Sequence, residues 1–203
     1  MGIVQTLAIA FGSAWVSGIN LYAMVASLGL LGRYAGLKLP GDLAVLTNGW
    51  VIGIAIALYC VEFVADKIPW LDSVWDLVHT FIRIPAGAVV AAAALGDFNK
   101  SIQIIAFMLG GGLALSSHAT KAATRATLNL SPEPVTNILA SLLEDVIVLG
   151  VMLLVAFAPL LVLLLLLIFV VLAAWFFPKL VRLAGRSFRR AVGILKGNPV
   201  ATG

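Results

Sequence analysis

Long uncharged runs of apolar residues constrain the fold of this chain more than any other feature. One of them, LLVLLLLLIFVVLAAWFF, occupies residues 160–177 without a single charged side chain. A helix needs about 20 such residues to cross the hydrocarbon core of a bilayer, because it rises about 1.5 Å per residue. Backbone groups left unpaired in lipid are costly, so such a run is predicted to be a membrane helix.

The composition of the whole chain also indicates a membrane protein. Of the 203 residues, 62% are hydrophobic and 11% are charged, and the mean hydropathy is +1.11. Soluble domains contain about 45–50% apolar and about 25% charged residues, which excludes a soluble globular fold. Frequent Gly and Ala suit close helix packing, and no strand-like alternation indicates a barrel. The predicted fold class is all-α, a polytopic helical membrane protein.

The apolar segments predict about six membrane elements. Their ranges are 3–31, 43–65, 70–96, 102–117, 135–157 and 160–177. The first is long enough to tilt or to break near Gly18 and Asn20. The third joins amphipathic residues 70–83 to apolar residues 84–96 and contains Pro85. It is therefore either one helix facing a protein interior or a re-entrant pair.

These elements are assigned to one transmembrane domain, residues 1–178, followed by a basic tail, residues 179–203. The basic residues of the tail are Lys179, Arg182, Arg186, Arg189, Arg190 and Lys196. Positive charge is concentrated in cytoplasmic segments, so the C-terminus is predicted to be cytoplasmic. The tail lacks the aromatic residues and folded basic domain of a nucleic-acid surface, which leaves membrane lipids as the expected partner.

The transmembrane domain shows weak internal similarity. IAFGSAWVSGIN (9–20) aligns with FMLGGGLALSSH (107–118), and both stretches are rich in small residues and end in a polar side chain. Apolar sequences often resemble one another by chance, which is one explanation. The other is that residues 1–98 and 99–178 are inverted repeats of three elements with broken or re-entrant helices, an architecture of transporters.

The most polar stretch between two apolar segments is EFVADKIPWLDSVWDLVHTFIR, residues 62–83. Four of its residues lie at i, i+4, i+7 and i+11 and share one helical face: Asp72, Asp76, His79 and Arg83. Charged residues beside a membrane segment usually face a bundle interior or water. The stretch is thus either an interfacial helix whose polar face meets water, anchored by Trp70 and Trp75, or part of a polar pathway.

Glu62 lies at the end of an apolar run, one helical turn before Asp66. A carboxylate in this position is either paired with Lys67, Arg83 or another arginine, or protonated and able to carry a proton. Both Glu62 and Asp66 are therefore candidates for an ion or proton pathway.

A cationic cluster follows in the second half of the chain. His118, Lys121 and Arg125 lie at i, i+3 and i+7 on one helical face. This face suits an anion such as phosphate, a lipid headgroup or a carboxylate. The alternative is a helix end that emerges at the cytoplasmic interface, where Lys and Arg are common.

Glu144 and Asp145 are adjacent within the fifth apolar segment. Neighbouring helical residues point about 100° apart, so at least one of them faces protein rather than lipid. They are predicted either to pair with Lys121, Arg125 or Arg83, or to belong to a cation or proton pathway.

No catalytic motif is present, so an enzyme is not predicted. The two histidines lie 39 positions apart, and the chain has no HExxH, GxSxG or phosphate-loop pattern and one cysteine. His79, Asp76 and Asp72 are spaced for a metal, but three residues of this kind are weak support. No cofactor and no metal are predicted.

The residues SGINLYAMVASLGLLGR (17–33) and ALYCVEFVADKIPWLDSVWDLVHTFIRIPAGAV (57–89) resemble a bacterial membrane-protein family, domain of unknown function 4126. The resemblance covers most of the chain, and EFVADKIP…WD..HT..R.P.GA is its most specific pattern. It implies a small polytopic helical protein and brings no established activity or ligand. We accordingly place the chain in the bacterial inner (plasma) membrane.

Three functions are compatible with these residues. The first is a small transport protein or channel for an ion or small solute, assembled as a homo-oligomer because about six elements enclose little interior. The second is binding or translocation of an anionic lipid headgroup or polyisoprenyl phosphate. The third is a structural or accessory subunit. A cavity joining the face of residues 62–83 to the face of residues 118–125 would favour transport, whereas complete pairing of every charge without a cavity would favour the third.

Overall fold

The first apolar segment forms two helices, because the chain breaks at residues 18–20. In the computed structural model, which describes residues 2–128, 134–175 and 179, α1 spans Ile3–Ser17 and α2 spans Leu21–Tyr34. Residues Ala8–Gly12 of α1 are π-helical. Asn20 begins α2 as its cap: the Oδ1 atom accepts a hydrogen bond from the Ala23 backbone N–H at 2.9 Å.

The remaining described elements are also helical. They are a 3-10 helix (Gly41–Thr47), α3 (Gly49–Ala65), α4 (Pro69–Ala94), α5 (Lys100–Leu128), α6 (Pro134–Phe157) and α7 (Pro159–Trp175). The described residues contain no strand. The fold is thus all-α and polytopic, as the composition predicts.

Three of the described helices, α4, α5 and α6, are long and apolar enough to cross a membrane. A fourth span arises if the 3-10 helix and α3, which meet at an angle of 74°, cross together. The described lengths of α1 and α7 are shorter. The described residues therefore supply three or four candidate spans where the sequence predicts six elements.

The third predicted element is one continuous helix. Pro85 lies inside α4, which runs without interruption from Pro69 to Ala94. Proline removes one backbone donor and crowds the preceding turn, which weakens a helix locally. Neighbouring helices in a membrane bundle offset that loss. Of the two alternatives, the amphipathic-to-apolar helix is present and the re-entrant pair is not.

Two glycines allow α1, α4 and α5 to approach closely. A Cβ atom added to Gly110 of α5 would overlap the Ala91 Cβ and lie 2.7 Å from the Gly87 carbonyl oxygen. A Cβ atom added to Gly87 of α4 would lie 2.5 Å from the Ala114 Cβ and 2.6 Å from the Ser17 Oγ. Small residues at these contacts let helix backbones pack directly, which drives association in lipid.

Gly110→Val is therefore expected to lower the free energy of unfolding by about 2 kcal/mol, because overpacking forces the helices apart. Gly112→Val is the matched control on the same helix, since nothing lies within 4 Å of a Cβ atom at Gly112. Thermal unfolding in detergent, followed by the helical circular dichroism signal, measures both. Equal loss in the two variants would contradict the close approach.

The chain divides into two compact units, Met1–Leu166 and Leu167–Gly203. The first holds all the charged residues of the candidate site. Of the second, residues 167–175 and 179 are described, and the Lys179 ammonium lies 3.0 Å from the centre of the Trp175 ring. The rest of the predicted basic tail, from residue 180 onward, lies outside the described residues.

Candidate functional site

The polar face of α4 is buried and its apolar face is exposed. Arg83 and Asp72 have 0% and 1% of their surface exposed, whereas Phe81 is 78% and Leu77 is 66% exposed. This is the opposite of an interfacial helix, whose charged face meets water. Exposed apolar side chains suit contact with lipid, and charges in such helices face the bundle interior. The interfacial alternative for residues 70–83 is therefore wrong.

Arg83, in the middle of α4, makes two buried ion pairs, one to the end of α3 and one to a residue two turns earlier in α4. Its Nη2 lies 2.6 Å from Glu62 Oε1, and its Nη1 lies 2.7 Å from Asp76 Oδ1. Glu62 is in the last turn of α3, and the short turn at residues 66–68 folds α4 back beside it. Both Glu62 and Arg83 are fully buried. Of the two alternatives for Glu62, pairing with an arginine or carriage of a proton, the structure contains the partner that pairing requires.

Lys121 of α5 brings the carboxylates and the cationic cluster into one site. Its Nζ lies 3.2 Å from Asp66 Oδ2, 3.5 Å from Asp76 Oδ1 and 3.6 Å from Glu144 Oε2. These three acids come from the α3–α4 turn, from α4 and from α6. Lys121 itself is 4% exposed, and it therefore sits at the meeting point of three chain segments.

Arg125 fixes α6 to α5. Its Nε and Nη2 donate to the two carboxylate oxygens of Glu144 at 3.0 and 2.7 Å, a bidentate geometry that is strong and directional. Its Nη1 donates to Asn137 Oδ1 at 2.8 Å and lies 3.9 Å from Asp72 Oδ2. The alternative that Arg125 simply emerges at a membrane surface does not fit, because it is 3% exposed.

These ion pairs form one charge network. Its members are Glu62, Asp66, Asp72, Asp76, Glu144, Arg83, Lys121 and Arg125. Five carboxylates face three cationic side chains, so the network carries two excess negative charges when every group is ionised. Among the described residues, some of its buried carboxylate oxygens accept no hydrogen bond, namely Glu62 Oε2, Asp66 Oδ1 and both oxygens of Asp72. Buried polar atoms are usually satisfied, so these oxygens require an explanation.

The two histidines lie at the edges of the network. His79 places Nε2 3.1 Å from the Tyr22 hydroxyl and Nδ1 2.8 Å from the Trp75 carbonyl oxygen. Both ring nitrogens are thus engaged away from Asp72 and Asp76, and the spacing-based metal set of these three residues does not form. His118 places Nε2 2.7 Å from Thr80 Oγ1, and this contact links α5 to α4.

The break between α1 and α2 is stabilised by polar side chains of α5. Ser117 Oγ donates to the Trp15 carbonyl oxygen at 2.6 Å. His118 Nδ1 lies 3.2 Å from the Gly18 carbonyl oxygen, and Lys121 Nζ lies 3.4 Å from that of Ile19. Carbonyl groups freed by a helix break must find partners inside a membrane. The cationic cluster therefore also supports the polar break at Asn20.

Asp145 is buried beside the network. It is 8% exposed, and its Oδ2 accepts no hydrogen bond from the described residues. Lys67 lies in the turn between α3 and α4, outside the membrane-spanning helices, and donates to the Phe63 carbonyl oxygen at 2.9 Å. Partial burial disfavours the charged ammonium and lowers the pKa of Lys67.

A cavity of about 260 Å³, partly open to the protein surface, adjoins the network. It is lined by Asp72, Asp76, Leu77 and Thr80 of α4 and by His118, Ala122, Arg125 and Ala126 of α5. The carboxylate-bearing face of residues 62–83 and the cationic face of residues 118–125 thus share one cavity, which has space for water or a small hydrated ion.

The family model for a domain of unknown function (DUF4126) matches residues 7–179 of the chain. The protein belongs to the DUF4126 family. No curated protein and no solved structure matches this DUF4126 chain. Its function must therefore be inferred from the charge network and the cavity.

Two polar residues of α6 in this DUF4126 protein were not among the sequence-based candidates. Asn137 is 2% exposed and holds Arg125, and Ser141 is 1% exposed. Together with Glu144 they occupy positions i, i+4 and i+7 of one helical face. The same spacing marks the polar face of α4, so the pattern could have identified Asn137 before the structure.

Proposed function

We propose that the protein is a small membrane transport protein or channel that moves an ion along the charge network. The observation that carries the proposal is the cavity lined jointly by Asp72 and Asp76 and by His118 and Arg125. Ionisable groups inside a membrane domain are costly, and they commonly mark ion or proton pathways. A cavity beside such groups has room for the water that a moving ion requires.

The excess of carboxylates favours a cation or proton as the transported species. An anion would enter a network in which Lys121 and Arg125 already contact Glu144. Binding of a lipid headgroup or polyisoprenyl phosphate would require both side chains to leave these partners. That alternative is therefore less well supported than cation transport.

A purely structural role for the network is also less well supported. A structural ion-pair cluster is expected to satisfy its buried oxygens, because each unsatisfied group costs about 1–3 kcal/mol. Glu62 Oε2 and the two oxygens of Asp72 accept no hydrogen bond from the described residues. The proposal further places the protein in the bacterial inner membrane as a homo-oligomer with a cytoplasmic C-terminus.

Flux across liposome membranes tests the proposal. Purified protein is reconstituted, a cation or proton gradient is imposed, and dyes report internal pH and membrane potential. Glu62→Gln and Asp76→Asn are expected to abolish protein-dependent flux, because each removes a negative charge from the pathway and keeps the side-chain shape. Asp97→Asn is the matched control, since Asp97 is exposed and outside the network.

Size-exclusion profiles and helical circular dichroism of all variants establish that the proteins are folded. Wild-type flux in both Glu62→Gln and Asp76→Asn would rule out the carboxylate pathway.

A further inference from the structure

We propose that Asp66, Asp72 and Asp76 bind a divalent cation of the kind that prefers oxygen ligands, the class of Mg²⁺, Ca²⁺ and Mn²⁺. Asp66 directly follows α3, and the other two are the fourth and eighth residues of α4. The inference rests on the proposed function only in naming the cation that would be transported. The binding site itself can be tested without any flux.

The separation of the three carboxylates fits one ion. One oxygen from each aspartate lies within 4.8 Å of the others, and all three residues are buried. Such ions bind oxygen at about 2.0–2.6 Å, so ligands on opposite sides of one ion are about 4–5 Å apart. An ion can therefore contact all three side chains with little movement of the backbone.

Unsatisfied oxygens provide an independent indication of a ligand. Asp72 is 1% exposed, and neither of its carboxylate oxygens accepts a hydrogen bond from the described residues. Asp66 is 3% exposed and its Oδ1 is likewise unsatisfied. A buried carboxylate is stabilised only by close positive charge or by donors. Arg125 reaches Asp72 at 3.9 Å, which is too long for a hydrogen bond.

The charge of the network indicates a doubly charged ion. Its five carboxylates and three cationic side chains leave two negative charges uncompensated. One divalent ion would neutralise this excess. Two bound protons would do the same, and the experiment below distinguishes the two cases.

The cavity beside the site completes the coordination. Asp72 and Asp76 both line it, so an ion held by the three aspartates can keep several water ligands. Mg²⁺ in particular loses its waters reluctantly and usually binds through only a few carboxylates.

Lys121 competes for the same carboxylates. Its Nζ lies 3.2 Å from Asp66 Oδ2 and 3.5 Å from Asp76 Oδ1. A divalent ion must therefore share these acids with an ammonium group. Removing the ammonium should therefore strengthen metal binding. If Lys121 only supported the fold, its removal would weaken metal binding.

The test is Mn²⁺ binding to the purified full-length protein in detergent, measured by electron paramagnetic resonance of the free ion and by calorimetry. The wild type is expected to bind one Mn²⁺ per chain, and Asp72→Asn is expected to weaken binding by at least about 100-fold. Asp97→Asn is expected to bind like the wild type, and Lys121→Gln about 10-fold more tightly, because the ammonium that repels the ion is gone. Mg²⁺ and Ca²⁺ should displace Mn²⁺, and Na⁺ should not.

Absence of saturable Mn²⁺ binding in the wild type would overturn the site, as would wild-type affinity in a folded Asp72→Asn protein. Proton flux in liposomes without Mn²⁺ binding would overturn the metal site and leave transport standing. Mn²⁺ binding that requires Asp72, in a protein without any flux, would support the metal site and overturn transport.

Discussion

Replacing Arg83 by Met is expected to lower the free energy of unfolding by about 3–5 kcal/mol, the usual cost of removing one partner of a buried ion pair. Arg83 is fully buried and contacts Glu62 at 2.6 Å and Asp76 at 2.7 Å. Methionine has a similar length and no charge, so it leaves two carboxylates without their guanidinium. Thermal unfolding in detergent measures the loss.

Two controls make the Arg83 experiment specific. Arg33→Met removes an exposed guanidinium that donates to the Thr47 carbonyl oxygen, and it should cost no more than about 1 kcal/mol. Adding Glu62→Gln to Arg83→Met should recover part of the loss, because one unpaired buried charge disappears. A double variant less stable than Arg83→Met would contradict the pairing.

Arg125→Met is expected to destabilise the protein by about 3 kcal/mol, the low end of the range for buried pairs because the Glu144 side chain keeps 17% exposure. Arg125 also donates to Asn137 Oδ1, so its loss removes its own contacts to both Glu144 and Asn137 of α6. Hydrogen exchange should accordingly speed up most in α6. The control is Lys100→Met, which removes the exposed cation at the start of the same helix.

An Arg125→Met protein with wild-type stability and unchanged exchange in α6 would show that Glu144 does not depend on this arginine. The same result in Lys100→Met is the expected one, since Lys100 is exposed and its ammonium donates to the Gln103 side chain of the same helix at 2.9 Å.

Spacing along single helices predicted much of the site. The positions i, i+4, i+7 and i+11 place Asp72, Asp76, His79 and Arg83 on one face of α4, and all four are buried. The break at Asn20 was likewise one of two predicted options. Such patterns are local, so the sequence carries them directly.

Pairing between helices could not be predicted in the same way. An amphipathic pattern does not tell whether the polar face meets water or protein, and the exposed Phe81 and buried Arg83 decide that for α4. Contacts between Lys121 and Asp66 depend on how α5 packs against the α3–α4 turn. The contact between His79 and the Tyr22 hydroxyl of α2 could not be predicted either, because the two residues lie 57 positions apart in the sequence.

The number of membrane spans was harder to predict for a related reason. Hydropathy gives the length of an apolar segment and carries no information about bends. The 74° angle between the 3-10 helix and α3 could therefore not be predicted from it. The inverted repeats of residues 1–98 and 99–178 remain a prediction.

Uptake of Mn²⁺ into liposomes tests the central claim, that the charge network conducts a cation, most directly. A trapped fluorophore quenched by Mn²⁺ reports the initial rate for the wild type, Asp76→Asn and Asp97→Asn at equal protein content. We predict rapid uptake by the wild type and by Asp97→Asn, and uptake by Asp76→Asn that does not exceed the rate in protein-free liposomes. Wild-type uptake no faster than that of protein-free liposomes, or equal uptake by a folded Asp76→Asn protein, would contradict conduction of a divalent cation by the network.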